Sequence, residues 1–241
     1  MSTCAFSIDQ LMELAGLSVS QAGKVVVLDQ AKGCVTGTNI PTTKYSGSIP
    51  LRRVLGFWLP VALGITVGGD GLVAARHLFH YGYSPTIFYP KRSKNELYQR
   101  LAKQLEDLRV PFVDDFRTAL DSTDHVVDAI FGFSFSGEVR EPFPAVIQAL
   151  ADAKVPVTSV DAPSSWDIEN GPPNSGLGSN FMPATLVSLT APKPLVKHFT
   201  GRHFVGGRFV SPMIAKKYDF EVPEYKGLDQ VVEVAADGHR L

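Results

Sequence analysis

The chain has 241 residues, of which 44% are hydrophobic and 20% charged, and its formal net charge is −1. These values are typical of one globular domain with a sizeable core, and they give no positive field for nucleic acid or an anionic membrane. The two cysteines are too few for a disulfide framework and lack the paired spacing of a zinc site, which favours a reducing, cytoplasmic environment.

The amino-terminal segment is predicted to be a short helix. Ser7 and Gln10 have the spacing of a capping box before the run LMELAG, and Gly16 marks the expected helix end. Residues 23–66 follow, with one β-like run at 25–28 and many turn-forming residues. This segment is therefore the least organised part of the sequence.

The longest apolar run, 54–67, does not have the properties of a membrane span. It has about 14 residues, whereas a spanning helix needs about 20, and Pro60 interrupts it. No association with a membrane is expected from it.

From residue 68 onward, apolar strands alternate with amphipathic helices. Predicted helices lie at 72–81, from 94 onward, near 118 and at 145–153, and predicted strands lie at 86–89, 111–113, 125–131, 155–160 and 185–190. This alternation implies right-handed βαβ crossovers and a parallel sheet covered on both faces. We therefore expect a single α/β domain over 1–241, a Rossmann-like three-layer sandwich with a mainly parallel sheet.

The carboxyl-terminal part is predicted to add three features. A hairpin is expected to turn at 206–207, a helix to run over 211–218, and residues from about 226 to 241 to form a frayed tail.

Two predicted strands end on an aspartate that is followed by small, flexible or hydroxyl residues. These are Asp128 and Asp161, in VVDAIFGFSFSG and SVDAPSS. Because open α/β sheets bind ligands at the carboxyl ends of their strands, both carboxylates are expected to face one crevice. Burying two carboxylates is costly, so their position predicts a functional site.

A glycine-rich turn, Gly68-Gly69-Asp70-Gly71, precedes the helix LVAARHL, where free backbone amides and the helix dipole favour phosphate. It matches a dinucleotide fingerprint, yet residues 89–92 lack the acid that would hold a ribose in a dehydrogenase, and the turn lacks a Walker lysine. Two further interpretations stay open: a turn that binds no ligand, and Asp70 acting only as a helix cap.

Six segments in order carry a resemblance to a known family. They are FSIDQLMELAG, GGDGLVAARHL, PTIFYPKR, VVDAIFGFSFSGEVREPF, SVDAPSSWDIENG and SLTAPK with FTGRHFVGGRF. Together they resemble the NAD(P)H-hydrate epimerase family, also called the YjeF-type amino-terminal domain. The match excludes roughly residues 23–66 and the last fifteen or so residues.

The resemblance implies epimerisation of the R and S forms of hydrated NADH and NADPH at C6, so that a separate dehydratase can restore the nucleotide. It also implies a homodimer and a bound potassium ion. It assigns the potassium ion to Asp128 and Ser164. It assigns the substrate to Gly68, Gly69, Asp70, Gly132, Phe133, Ser134, Phe135, Ser136, Gly137, Glu138 and Asp161.

Asp161 is the candidate catalytic residue. The hydrated carbon is a carbinolamine, which loses its configuration by expelling the hydroxyl or by ring opening, and either route uses a positioned acid or base. Alternatives remain for the potassium ligands: Asp128 as a cap of the following turn, and Ser164 as an ordinary turn hydroxyl.

The sequence departs from the family in three places. The family reads Gly-Pro-Gly-Asn-Asn before its Gly-Gly-Asp-Gly turn, and here Val67 stands where the second asparagine is a potassium ligand. Residues 23–66 are divergent, which suggests a mis-spliced segment such as a translated intron. Ser165 stands where the family has glycine after Pro-Ser, and a positive φ there would cost about 1 kcal/mol.

Two functions therefore remain. The first is a working epimerase, and the second is a catalytically impaired isoform or paralogue that binds nucleotide or a protein partner. Family members also carry a further helix before FSIDQLMELAG, so a mitochondrial address is expected only if a leader is missing.

Overall fold

One eight-stranded sheet organises the computed structural model, which describes residues 6–35, 62–66, 68–132, 135, 137–219 and 221–234. The strands are β1 (Ala62–Thr66), β2 (Ser84–Phe88), β3 (Phe112–Val113), β4 (His125–Asp128), β5 (Val157–Val160), β6 (Thr185–Leu189), β7 (Arg202–Gly206) and β8 (Val231–Val234). The helices are α1 (Ile8–Val35), α2 (Gly69–His80), α3 (Glu96–Asp107), α4 (Phe116–Asp121), α5 (Phe143–Ala151) and α6 (Pro212–Tyr218). A short 3₁₀ helix spans Pro194–His198.

The strand order is β3-β2-β1-β4-β5-β6-β7-β8, and every pair is parallel except β7 with β8. The chain winds outward from β1 to β3 and then returns to place β4 on the other side of β1. Such a reversal opens a crevice at the carboxyl ends of the two central strands. The fold therefore provides a ligand crevice beside β1 and β4.

The sheet has a hydrophobic core on each face. Successive residues of a strand such as β4 or β6 contribute to opposite cores, because strand side chains alternate between the two faces. Val127 and Val187 pack in a cluster with α1, α2 and α3. Val126 packs with α5 on the other face, and Leu186 packs there with the 3₁₀ helix. The predicted Rossmann-like three-layer sandwich is confirmed.

The helix α1 begins as predicted but is much longer than predicted. The capping box is present, since Ser7 N donates to Gln10 Oε1 at 2.8 Å and Gln10 N donates to Ser7 Oγ at 3.1 Å. The prediction that Gly16 ends the helix is wrong. A Cβ at Gly16 would lie 2.4 Å from Val73 Cβ, so this glycine lets α1 pack closely on α2.

The β-like run at 25–28 is also wrong, because it lies within α1, where Val26 and Val27 are buried. Tertiary packing outweighs the modest preference of β-branched residues for strands. By length and composition alone, Ile8–Asp29 could cross a membrane, but half of its most apolar window is buried inside the fold. Packing against α2 and the sheet accounts for that apolar face.

The carboxyl-terminal predictions need two corrections. The hairpin at 206–207 is wrong, because β7 pairs in parallel with β6 and its antiparallel partner β8 comes later in the chain. The frayed tail is wrong for Val231–Val234, which pairs with β7 and buries Val231 and Val234. The helix predicted at 211–218 is found, with Ser211 as its N-cap.

The segment 23–66 was predicted to be atypical. Its first part continues α1, and its last five residues form β1, paired with β2 and β4. Residues 36–61 and Val67 lie outside the described residues. The idea that the segment is mis-spliced stays a prediction.

Candidate functional site

Four neighbouring strands bring polar groups to the same edge of the sheet. Gly68 follows β1, Asp128 is the last residue of β4, Asp161 follows β5, and Lys193 lies in the loop after β6. Because β1, β4, β5 and β6 are adjacent and parallel, these groups lie along one carboxyl edge. Asp128 and Asp161 therefore lie at the carboxyl ends of neighbouring strands, as predicted.

The glycine turn serves close packing at the start of α2. Gly68 is the N-cap, with extended backbone, and its carbonyl accepts from Leu72 N at 3.2 Å. A Cβ at Gly68 would lie 2.9 Å from Ala129 O, and one at Gly69 would lie 2.1 Å from Met12 Sδ. Asp70 lies inside the first turn, so it does not cap the helix.

Asp128 is a buried carboxylate held by hydrogen bonds. Ser164 Oγ donates to its Oδ1 at 2.6 Å, while Ser164 N and Ser159 Oγ donate to Oδ2 at 2.9 Å and 2.8 Å. Burial raises the pKa of Asp128, and the hydrogen bonds from Ser164, Ser159 and Ile130 N partly offset that rise. All of these donors are uncharged, so none of them neutralises the carboxylate, and a bound cation would stabilise its charged form.

Next to Ser164, the backbone of Ser165 has φ 85°, in the left-handed region that favours glycine. Its hydroxyl is buried, with no hydrogen-bond partner among the residues that the structure describes. The predicted need for a positive φ at this position is confirmed.

Asp161 is fixed both by its backbone and by its side chain. Its φ is 65°, and its backbone N donates to Val187 O at 2.8 Å. Its Oδ1 accepts from Leu189 N at 2.9 Å and from Lys193 Nζ at 2.6 Å. The side chains of Asp161 and Lys193 are only 8% and 15% exposed, so this ion pair is largely shielded from water.

Asp70 shares the electrostatic environment of this ion pair. Burial raises the pKa of Asp70 to about 7, the charge of Asp161 adds to the rise, and the charge of Lys193 opposes it. Close to neutral pH, therefore, the crevice contains one carboxylate paired with a lysine and one carboxyl group that readily gains or loses a proton.

The loop 132–138 is only partly described. Phe133, Ser134 and Ser136 lie outside the described residues. Phe135 N donates to Gly132 O at 3.0 Å, and the Phe135 ring stacks on Phe131 with centroids 3.9 Å apart. Gly137 has φ 93°, and Gly132, Gly137 and Glu138 are exposed. The loop therefore presents an aromatic pair that the sequence analysis did not single out.

Lys193 is the charged residue of the site that the sequence analysis missed. The available signal is its context, Thr190-Ala191-Pro192-Lys193-Pro194, a lysine between two prolines directly after a buried parallel strand. A lysine at the carboxyl edge of such a sheet is positioned to meet the carboxylates that end the neighbouring strands.

Comparisons with known proteins agree with this geometry. Residues 8–195 match the family model described as YjeF-related protein N-terminus. A protein of Fusarium vanettenii named NAD(P)H-hydrate epimerase is 72% identical over 242 residues, covering 100% of this chain and 92% of that protein. One of Neurospora crassa with the same name is 70% identical over 235 residues, covering 97% of this chain and 89% of that protein.

The fold comparison points the same way. A solved yeast structure is 37% identical and superposes with a TM-score of 0.81, covering 97% of this chain and 93% of that chain.

Proposed function

The chain belongs to the YjeF-related family and epimerises hydrated NADH and NADPH, and we propose that Asp161 is the acid–base group of this reaction. The observation that supports this assignment is the shielded carboxylate of Asp161, held at the carboxyl edge by Leu189 N and Lys193 Nζ. A base held in one orientation by several contacts is what proton transfer at a single carbon requires.

The substrate's reacting carbon bears a hydroxyl group and the ring nitrogen. Loss of the hydroxyl as water consumes one proton, and return of water to the opposite face releases one, so the net reaction only changes configuration. Ring opening and closure has the same proton balance. The carboxylate of Asp161 accepts the proton that is released, from the returning water in the first route and from the C6 hydroxyl in the second.

We further propose that the glycine turn and the loop bind the dinucleotide. Gly68 and Gly69 bring the backbone of the first turn of α2 to the crevice, where amides and the helix dipole favour phosphate oxygens. Asp70 and the loop 132–138, including Phe133, Ser134 and Ser136, complete the proposed substrate contacts.

A potassium ion is proposed at Asp128 and Ser164. A carboxylate and a hydroxyl are oxygen ligands suited to a hard cation, and the carboxylate is buried among uncharged donors, so a positive charge would stabilise it. When bound, the ion would supply positive charge at the carboxyl end of β4. Val67 stands at the position of a family potassium ligand, and its side chain has no atom that can coordinate a cation. The proposed ion therefore lacks that ligand here.

A homodimer, functional coupling to an NAD(P)H-hydrate dehydratase and a cytoplasmic location are proposed on the same family grounds. The relatives reported above carry the enzyme's name over almost the whole chain, so the comparisons offer no support for a catalytically impaired module.

The test is a coupled assay with the purified chain. The R epimer of hydrated NADPH is supplied with an S-specific dehydratase, and recovery of NADPH is followed with and without potassium. We expect the chain to accelerate recovery above the spontaneous rate, and Asp161→Asn to lower that acceleration about 100-fold or more.

Asp167→Asn is the matched control, because Asp167 is an exposed aspartate that accepts hydrogen bonds from Glu169 N and Asn170 N and lies outside the crevice. It should keep full activity. Recovery at the spontaneous rate with the unmodified chain would overturn the proposed function, and full activity of Asp161→Asn would overturn the assignment of Asp161.

A further inference from the structure

Lys193 is largely buried, and its ammonium group makes two hydrogen bonds within the candidate site. Its Nζ donates to Asp161 Oδ1 at 2.6 Å and to Leu189 O at 2.5 Å, and its side chain is 15% exposed. Leu189 N in turn donates to the same Oδ1 of Asp161. The lysine and the end of β6 therefore clamp one carboxylate oxygen from two directions.

The backbone around Lys193 is constrained. Pro192 and Pro194 flank it, and their rings fix φ on either side. Lys193 itself is extended and immediately precedes the 3₁₀ helix Pro194–His198, whose Leu195 is fully buried. The flanking prolines and the 3₁₀ helix thus constrain the backbone from which the Lys193 side chain reaches Asp161.

The positive charge of Lys193 balances negative charge on two neighbouring carboxyl groups, Asp161 and Asp70. Burial raises the pKa of Asp70, and repulsion from the charge of Asp161 adds to that rise. Lys193 acts on both carboxyl groups, by direct contact with Asp161 and through space with Asp70. One cation therefore offsets the negative charge of two neighbouring carboxyl groups.

We propose that Lys193 is a positioning residue of the epimerase site, one that orients the carboxylate of Asp161 and supplies the positive charge that two neighbouring carboxyl groups require. This inference rests on the proposed function. Asp161 remains the group that exchanges the proton, and Lys193 acts through it.

Within the part of the chain that the structure describes, titratable groups from at least three other elements interact with Lys193. Asp161 follows β5, Asp70 lies in α2, and His203 lies in β7, where burial lowers the pKa of His203 and the charge of Lys193 adds to that effect. Tyr98 of α3 faces Asp70, whose charge contributes to raising the Tyr98 pKa. His203 is buried and its ring bonds Ser188 Oγ at 2.9 Å, so it is not expected to titrate with the reaction.

The test compares Lys193→Met, Lys193→Arg and the control Lys197→Met. Lys197 lies four residues further on, in the 3₁₀ helix, and is exposed, so it carries the same charge as Lys193 nearby in the chain without its contacts to the site. In the coupled assay we expect Lys193→Met to lower kcat about 10- to 100-fold with little change in KM. Lys193→Arg should recover most of kcat, and Lys197→Met should equal the unmodified chain.

A second readout does not depend on activity. The ¹³C chemical shift of the Asp70 carboxyl, followed against pH by NMR, should titrate at higher pH in Lys193→Met than in the unmodified chain, because the opposing cation is gone. In Lys197→Met it should not move. If Lys193→Met does not fold, Lys193→Gln replaces it with the same expectations.

The outcomes separate the two proposals. Spontaneous-rate turnover by the unmodified chain overturns the proposed function, while the Asp70 titration still decides whether Lys193 controls the charge of the crevice. If kcat in Lys193→Met stays within twofold and the Asp70 titration is unchanged, the inference is overturned. A rise in KM with kcat unchanged also overturns the inference, because a positioning residue should change kcat.

Discussion

Ser164 donates two hydrogen bonds to the carboxylate of Asp128, one from its hydroxyl to Oδ1 at 2.6 Å and one from its backbone N to Oδ2 at 2.9 Å. The two contacts bridge the ends of β4 and β5 and orient both carboxylate oxygens. Ser159 Oγ adds a third contact from within β5. The proposed potassium site and the junction of two central strands are therefore the same group of atoms.

Replacing Ser164 should weaken both the fold and the ion site. We expect Ser164→Ala to lower the free energy of unfolding by about 1–3 kcal/mol, because a buried carboxylate loses a donor. We also expect it to abolish any rise in Tm in potassium chloride over lithium chloride at equal ionic strength. Urea denaturation and thermal scans in the two salts measure these effects.

Ser159→Ala is the matched control for that prediction. It removes a buried hydrogen bond to the same carboxylate, at 2.8 Å, but not a proposed ligand. It should lose a similar stability and keep the potassium response. An equal potassium response in Ser164→Ala would exclude Ser164 as a ligand.

Asp70 should make the protein less stable as pH rises from about 4 to about 7. Its pKa is about 7 in the folded chain against an ordinary value of 3.8, so the folded state keeps a proton that the unfolded state releases. The free energy of unfolding therefore falls between about pH 4 and pH 7 and is level above. Asp70→Asn removes this loss and should be more stable than the unmodified chain at pH 8 by about 4 kcal/mol.

At pH 4 the two proteins should have nearly equal stability, which urea denaturation at both pH values checks. Asp167→Asn is the control of opposite sign, because hydrogen bonds from Asn170 N and Glu169 N lower the pKa of Asp167. It should show no gain at pH 8. A constant difference between Asp70→Asn and the unmodified chain from pH 4 to pH 8 would contradict the raised pKa.

Ser165→Gly should stabilise the protein. The backbone at Ser165 has φ 85°, which costs a non-glycine residue about 1 kcal/mol, and its buried hydroxyl has no partner among the described residues. We expect the free energy of unfolding to rise by about 1 kcal/mol. Ser165→Ala removes the hydroxyl but keeps the backbone strain, so it should gain less, and a larger gain from alanine would refute the role of φ.

Removal of β8 should be strongly destabilising. Glu233 accepts two hydrogen bonds from Arg202, at 2.7 Å and 2.8 Å, and Gln230 N donates to Gln21 Oε1 of α1 at 2.6 Å. Because the burial of Val231 and Val234 against the fold is also lost, a chain ending after Tyr225 should lose roughly 3–6 kcal/mol. A chain ending after Val234 keeps all these contacts and is the control; equal Tm values for the two truncations would contradict the prediction.

The sheet and the two strand-end aspartates could be predicted because they depend on local patterns. Apolar runs of strand length and striped helices follow from side-chain periodicity, and parallel order then brings Asp128 and Asp161 to one edge. The Asp161–Lys193 contact could not be predicted, because it joins residues 32 apart and depends on the path of the loop after β6.

Gly16 shows why local signals also mislead. A glycine is suited both to ending a helix and to letting two helices touch, and only the position of Val73 on α2 decides between them. The error at β8 is similar, since a short run such as VVEV becomes a strand only when β7 lies open beside it. In both cases the deciding partner is distant in sequence.

The left-handed backbone of Asp161 restricts which substitutions can report on its chemistry. At φ 65° glycine and asparagine are the replacements with the smallest steric penalty, so an alanine, a glutamate or a serine there would add backbone strain as well as remove or move the carboxylate. Activity lost in such variants would combine the two effects. Position 161 therefore tolerates a narrow set of residues for steric reasons alone, and asparagine is the replacement in which the loss of charge can be observed by itself.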